Sequence, residues 1–188
     1  MSFEKDIEKC LDVLKSGGLI LYPTDTVWGI GCDATNKKAV EKIYKLKKRS
    51  DDKAMIVLVA AEKDIMQHVA APDLSLFDYL EKITKPTTVV YDGALGFADN
   101  LIGSDGSIAI RICKDEFCRQ LIKRFRKPIV STSANISGKP APKFFKEISD
   151  EIKNGVDFTV HYKQQDESSV EPSSLIKWNN GNVTILRP

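Results

Sequence analysis

Histidine and cysteine are scarce in this chain of 188 residues: two and four, respectively. Cys10, Cys32, Cys113 and Cys118 form no CxxC pair, and with only His68 and His161 to join them they do not compose a zinc site. Reduced, buried thiols of a cytoplasmic protein are therefore expected. Long apolar runs are missing as well. Stretches such as 55–61 stop far short of the ~18 residues that span a bilayer, and the charged start MSFEKD lacks the apolar segment of a signal peptide. No membrane association is expected. Neither GxGxxG nor GxxxxGK[ST] occurs, and no recognisable Ser-His-Asp or Cys-His set offers a nucleophile. Aromatic residues make up 8%, and they do not interleave with basic ones as a base-stacking platform requires.

What is present describes one α/β domain over 1–188. The chain is 42% hydrophobic and 29% charged, with a net charge of only +2, which excludes a polycation and wholesale disorder. That balance hides an asymmetry. Residues 37–53 carry eight basic groups against three acidic, and residues 119–127 carry five basic and none acidic. Each stretch nets +5, leaving −8 on the remainder, a distribution suited to an anionic ligand such as nucleotide phosphates or a nucleic acid backbone. A solvated helix face is the plainer reading of such a run.

Periodicity places helices over 3–15, 36–48, 62–69, 73–83, 115–125 and 142–153. Apolar or alternating runs place strands over 19–22, 55–61, 87–91, 107–112, 129–132 and 156–160. Two closing strands, 174–178 and 183–187, flank Asn180-Gly181, the strongest short-range hairpin signal. Strands alternating with helices, plus a hairpin, predict a mixed sheet with flanking helices.

Four segments set polar residues where strands and helices end. In Tyr22-Pro23-Thr24-Asp25-Thr26-Val27-Trp28-Gly29-Ile30-Gly31, hydroxyls and a carboxylate follow a buried strand, and glycines permit close backbone approach. In Lys47-Lys48-Arg49-Ser50-Asp51-Asp52-Lys53, Arg49 offers a planar fork for phosphate while Lys47 and Lys53 offer point charges. Cations at a helix C-terminus are also favoured by the helix dipole alone. Ser131-Thr132-Ser133-Ala134-Asn135-Ile136-Ser137-Gly138 supplies hydroxyls and an amide that can line a nucleotide site without adding charge. In the closing hairpin, a two-residue turn at Asn180-Gly181 sets Ser174 opposite Arg187 and crowds the Ser173-Ser174 pair against that arginine.

Taken with SIAIRI (107–112), PSSLI and ILRP, these motifs resemble in order and spacing the YrdC/TsaC family, the L-threonylcarbamoyladenylate synthases. The resemblance runs from about residue 11 to 188 and is to the short, single-domain members. It implies a YrdC-like twisted mixed sheet with a basic concave site. It implies a nucleotidyltransferase that makes threonylcarbamoyl-AMP and pyrophosphate from L-threonine, bicarbonate and ATP, for threonylcarbamoyladenosine modification of tRNA. By position it implies catalytic roles for Lys47 and Arg49, and ATP contacts from Arg49, Lys53, Ser107, Ser133, Asn135 and Arg187. Thr26, Arg111, Ser131 and Ser173 are the implied threonine contacts.

Mg2+ is implied as a companion of ATP, held by phosphates and water with no protein ligand. Affinity for tRNA or double-stranded RNA, and a downstream tRNA threonylcarbamoyl-transferase protein as partner, are implied too. Two departures fall in loops: Lys85-Pro86-Thr87-Thr88 stands where many members have Pro-Gly-Pro, and Ser50 where many have proline. The competing readings are an RNA-binding module without catalysis and a nucleotide-binding paralogue with another acyl substrate.

Overall fold

Asn36 and Asp115 each accept a hydrogen bond from the backbone N–H three residues on, Ala39 and Cys118, and so start two of the helices. The computed structural model describes residues 3–50, 55–168, 171–179 and 181–188. Helix α1 (Glu4–Lys15) buries Ile7, Cys10, Leu11 and Leu14 and ends at Gly17, whose φ of +73° lies in the left-handed region. Helices α2 (Lys37–Lys47), α3 (Glu62–His68), α4 (Ser75–Glu81), α5 (Glu116–Phe125) and α6 (Asp150–Asn154) complete the helical set among the described residues.

The strands are β1 (Ile20–Tyr22), β2 (Gly29–Gly31), β3 (Ile56–Val59), β4 (Thr87–Tyr91), β5 (Ile108–Ile112), β6 (Ile129–Ser133), β7 (Phe158–Thr159), β8 (Ser174–Asn179) and β9 (Asn182–Arg187). They join in one sheet in the order β7-β1-β2-β6-β3-β5-β4-β8-β9. Three pairs are parallel (β1 with β7, β3 with β5, β4 with β8) and the others antiparallel, so the sheet is mixed as expected. Helix α1 packs on α5, β1 and β7, while α3 and α5 pack on β3. The four cysteines are buried and unpaired. No helix among the described residues is long and apolar enough to cross a membrane.

Three expectations change. The helix expected over 142–153 is a 3-10 turn (Phe145–Glu147) followed by the five-residue α6. Phe144 and Ser149 are extended, and Phe145 leaves the helical path to lie 4.8 Å from the Trp28 ring. Residues 29–31, expected only to allow close backbone approach and given no strand, are strand β2 between β1 and β6. A Cβ on Gly31 would lie 2.6 Å from Tyr22 Cε1 and 2.8 Å from the Val130 carbonyl oxygen, so this strand is admitted by the missing side chain. Finally, the hairpin pairs Asn179 with Asn182 and Ile176 with Ile185, the register of a two-residue turn, but an irregularity between Leu175 and Ile176 sets Leu175, not Ser174, opposite Arg187. Asn180 lies outside the described residues.

Candidate active site

Successive side chains of a strand alternate between faces. Register then sets Ser131, Ile56, Ala109 and Val90 side by side across β6, β3, β5 and β4. This row floors a cavity of about 400 Å³ whose walls come from residues 26–29, Arg49, Ser107, Ser173 and Arg187. Three guanidinium groups, Arg49, Arg111 and Arg187, line it, and among the described residues no carboxylate does.

Arg111 is held from beneath. It is 3% exposed, its Nη2 donates to Thr26 Oγ1 at 3.2 Å, and the same nitrogen lies 3.0 Å from Asp25 Oδ1 in a buried ion pair. That pair meets the distance of a hydrogen bond but not its geometry, since Asp25 Oδ1 has no hydrogen-bond partner. Arg111 Nε is likewise buried without an acceptor, a donor in reserve on the cavity wall. Thr26 is oriented through its neighbour. Thr24 donates its only hydroxyl proton to the Val27 carbonyl at 2.8 Å, so in the 3.0 Å pair of hydroxyls Thr26 is the donor to Thr24. The Thr26 oxygen thus faces Arg111 with lone pairs only.

On the opposite wall, Arg187 donates from Nε (3.2 Å) and Nη2 (2.9 Å) to the carbonyl oxygen of Ser173. The Ser173 hydroxyl is 2.8 Å from that of Thr88, a residue with no exposed surface. The irregularity before Ile176 therefore does not separate Arg187 from Ser173; it replaces side-by-side pairing by hydrogen bonds around the end of β8.

Helix α2 delivers Arg49. Lys48 takes φ +51°, Lys48 N–H bonds the Lys45 carbonyl and Arg49 N–H the Tyr44 carbonyl, the left-handed closure usually made by glycine. Lys47, expected beside Arg49 at the phosphates, is not on the cavity wall. It is 1% exposed, and its ammonium donates to the carbonyl oxygens of Ser133 and, at 2.6 Å, Asn135. Burial foremost, and the Arg49 charge next, lower its pKa to about 8. Its own carbonyl accepts from Ser137 N–H at 2.8 Å. Lys47 thus ties the loop after β6 to the end of α2. Asn135 is also off the wall: its amide donates to the carbonyls of Ile136 and Lys139 and closes that same loop.

Of the predicted site residues, Thr26, Arg49, Ser107, Arg111, Ser131, Ser133, Ser173 and Arg187 line this one cavity. Lys53 lies outside the described residues. The sequence reading assigned no role to Trp28, Val90 or Thr88, and noted the Asp25 carboxylate without giving it one. Thr88 carried a signal, a hydroxyl inside an apolar strand, whereas nothing in the sequence showed that Asp25 would pair with Arg111.

Residues 12–188 match the family model described as "Telomere recombination", that of the Sua5, YciO and YrdC proteins. A threonylcarbamoyl-AMP synthase of Photobacterium profundum is 32% identical over 150 residues, covering 78% of this chain and 81% of that one. Another, of Pseudoalteromonas translucida, is 29% identical over 186 residues, covering 97% and 98%. Among solved structures, P. abyssi Sua5 complexed with L-threonine superposes with a TM-score of 0.87 at 23% identity, over all of this chain and 55% of that one. E. coli YciO gives 0.83 at 19% identity, over 97% and 88%. The chain thus spans little more than half the length of the Sua5 structure, and at these identities the two superpositions speak for the fold. The extent of the family match and the identity to the Photobacterium protein establish that the chain belongs to the Sua5/YciO/YrdC family.

Proposed function

We propose that this protein is an L-threonylcarbamoyl-AMP synthase, a nucleotidyltransferase acting in the modification of tRNA adenosine. The observation that carries this reading is the cavity itself: three guanidinium groups and a set of hydroxyls, with no carboxylate on the wall among the described residues. Such a site suits two anionic substrates whose reaction needs positioning and charge neutralisation rather than a nucleophile. The names of the relatives point the same way.

Thr26, Arg111, Ser131 and Ser173 are assigned to L-threonine. Arg111 suits the substrate carboxylate, because its buried Nε lacks an acceptor and its Nη2 is already fixed by Thr26 and Asp25. Arg49, Ser107, Ser133 and Arg187 are assigned to ATP, with Lys53 beside them. Lys47 and Asn135 are assigned an indirect part, holding the loop that presents Ser133. The threonine amine adds to the carbon of CO2 supplied by bicarbonate and loses a proton, giving a carbamate. A carbamate oxygen then bonds to the α-phosphorus while the bond from that phosphorus to the β-phosphate bridge breaks, and pyrophosphate leaves with the electron pair. Fixed guanidinium groups stabilise the charge that develops in this step without needing to reorient.

Mg2+ is assigned to the substrate, as MgATP. The described wall carries no carboxylate suited to a hard cation, and no group of three His, Cys, Asp or Glu residues able to hold a metal occurs among the described residues. The product is a labile mixed anhydride, and a threonylcarbamoyl-transferase acting on tRNA is assigned as its consumer, in a cytoplasmic setting.

Mass spectrometry of the product formed from ATP, bicarbonate and L-threonine tests the proposal. Threonylcarbamoyl-AMP, with pyrophosphate release that depends on L-threonine, is the expected result. Pyrophosphate release indifferent to L-threonine would favour a paralogue with another substrate. No release, with RNA binding that weakens steeply with salt, would favour a plain RNA-binding module.

A further inference from the structure

Ile110 and Ile112 alternate with the β5 residues of the first cavity and, on the other face of the sheet, line a second cavity of about 220 Å³ with Leu80 and Ile83. Two polar atoms on residues of its wall are buried and lack any hydrogen-bond partner. One is the hydroxyl of Tyr91, a residue 6% exposed; the other is Oδ1 of Asp25, whose side chain is 10% exposed. Buried polar groups are normally paired: the Tyr91 hydroxyl has no partner in the chain, and Asp25 Oδ1 has the Arg111 ion pair but no hydrogen bond. Glu62 and Glu81 line the same space and form no ion pair among the described residues. Glu62 is near enough to Tyr91 for its charge to add to burial in raising the phenol pKa.

The two cations on this wall are already engaged. Lys114 Nζ donates to the Ile83 carbonyl at 3.1 Å, and Lys85 Nζ lies 3.8 Å from Glu171. The unmet capacity is thus for a hydrogen-bond donor at Tyr91 and positive charge beside Glu62 and Glu81, over an apolar floor. It also has two ends. Thr87 and Tyr91, both on the wall, are four residues apart on β4, about 13 Å of strand. Thr87 stands on the strand end nearest Ile112, where Asp25 Oδ2 accepts from Lys114 N–H at 3.5 Å, and Glu62 stands with Tyr91 at the other end.

We propose that the second cavity binds a linear aliphatic diamine, with one ammonium at Asp25, the other at Glu62 and Tyr91, and the methylene stem along Ile110 and Ile112. Asp25 is shared, since its Oδ1 also faces Arg111 across the sheet. An ammonium at Asp25 draws charge from the Arg111 pair, which makes the second cavity a point from which the first is tuned. That coupling rests on the assignment of Arg111 to substrate; the binding itself does not.

Isothermal titration of the full chain without substrates tests the binding, with 1,5-diaminopentane as probe and 1-aminopentane and 5-aminopentanoate as equal-length controls. The expected result is saturable binding of the diamine with a Kd of about 0.1–1 mM and about tenfold weaker binding of both controls. Glu62→Gln and Tyr91→Phe, measured separately, should each weaken the diamine several-fold while leaving the melting temperature of the unliganded protein near that of the parent. Tyr91→Phe removes an unpartnered hydroxyl and keeps the ring, so it supplies the answer if Glu62→Gln folds poorly. Because the chain carries a net charge of +2, diffuse attraction of a dication is weak. No saturable binding, equal binding of 5-aminopentanoate, or binding unchanged in both variants overturns the proposal.

Discussion

Lys47→Met keeps an unbranched stem of similar length and removes the ammonium. In the parent that ammonium, 1% exposed, donates to two carbonyl oxygens, those of Ser133 and Asn135. Hydrogen bonds from a charged donor contribute about 1.5–3 kcal/mol each, or about 3–6 kcal/mol for the two. Against them stands the cost of keeping the charge out of water: a pKa lowered from 10.5 to about 8 corresponds to roughly 3 kcal/mol. The difference, about 0–3 kcal/mol, predicts that Lys47→Met loses no more than about 3 kcal/mol at pH 7.

The pH dependence is the sharper test. With the folded pKa below the unfolded one, the unfolded state holds one more proton between about pH 8 and 10.5, so stability from this group rises with pH through that window. Cys10, Cys32 and Tyr22, whose pKa values burial raises, act in the opposite direction, but they do so equally in parent and variant. Denaturant unfolding of both proteins at several pH values from 7 to 10.5 isolates Lys47 in the difference. The stability gap should widen above pH 8, by up to roughly 3 kcal/mol. A gap that stays constant or narrows would refute the reasoning, because it would mean the two carbonyls hold the ammonium charged despite its burial.

Arg49→Lys keeps the charge but loses the planar fork, so threonine-dependent pyrophosphate release should fall about 10- to 100-fold with the melting temperature nearly unchanged; parent-like turnover would remove Arg49 from the site. Arg187→Ala should raise the apparent ATP constant several-fold with little change in the unliganded melting temperature, and an unchanged constant would leave the hairpin a structural role only. Gly31→Ala drives a methyl against Tyr22 and the Val130 carbonyl, so denaturation should show a loss of about 1–3 kcal/mol.

Much of this fold was legible because its strands carry period-two or continuous apolar patterns and its helices carry caps. Residues 87–91 and 108–112 announce themselves by β-branched content, and α5 by Asp115 before an apolar stripe. Strand β2 was not legible, since Gly-Ile-Gly has almost no strand propensity of its own. Its place is settled by a tertiary fact, the lack of room beside Tyr22 and Val130, which local composition does not encode. The expected helix over 142–153 failed for a related tertiary reason: the backbone is extended at Phe144 and Ser149, and between them Phe145 packs on Trp28.

Within the site, positions were legible and directions were not. Motif order brought eight residues to one cavity, yet Arg49 and Lys47, two positions apart on the last turn of α2 and its closure, point to different tasks. The left-handed turn at Lys48 is what divides them. It ends the helix before Arg49 and turns that side chain to the cavity wall, while Lys47, still helical, is carried inward to the carbonyls of Ser133 and Asn135. Nothing in Lys-Lys-Arg distinguishes a cation for phosphate from a cation for a loop; each reading satisfies the helix dipole and each is rich in donors. The distinction arises only when β6 ends beside α2 and leaves two carbonyls facing inward. A buried lysine there trades solvation for control of a loop, so this ammonium acts on the site through the backbone it fastens.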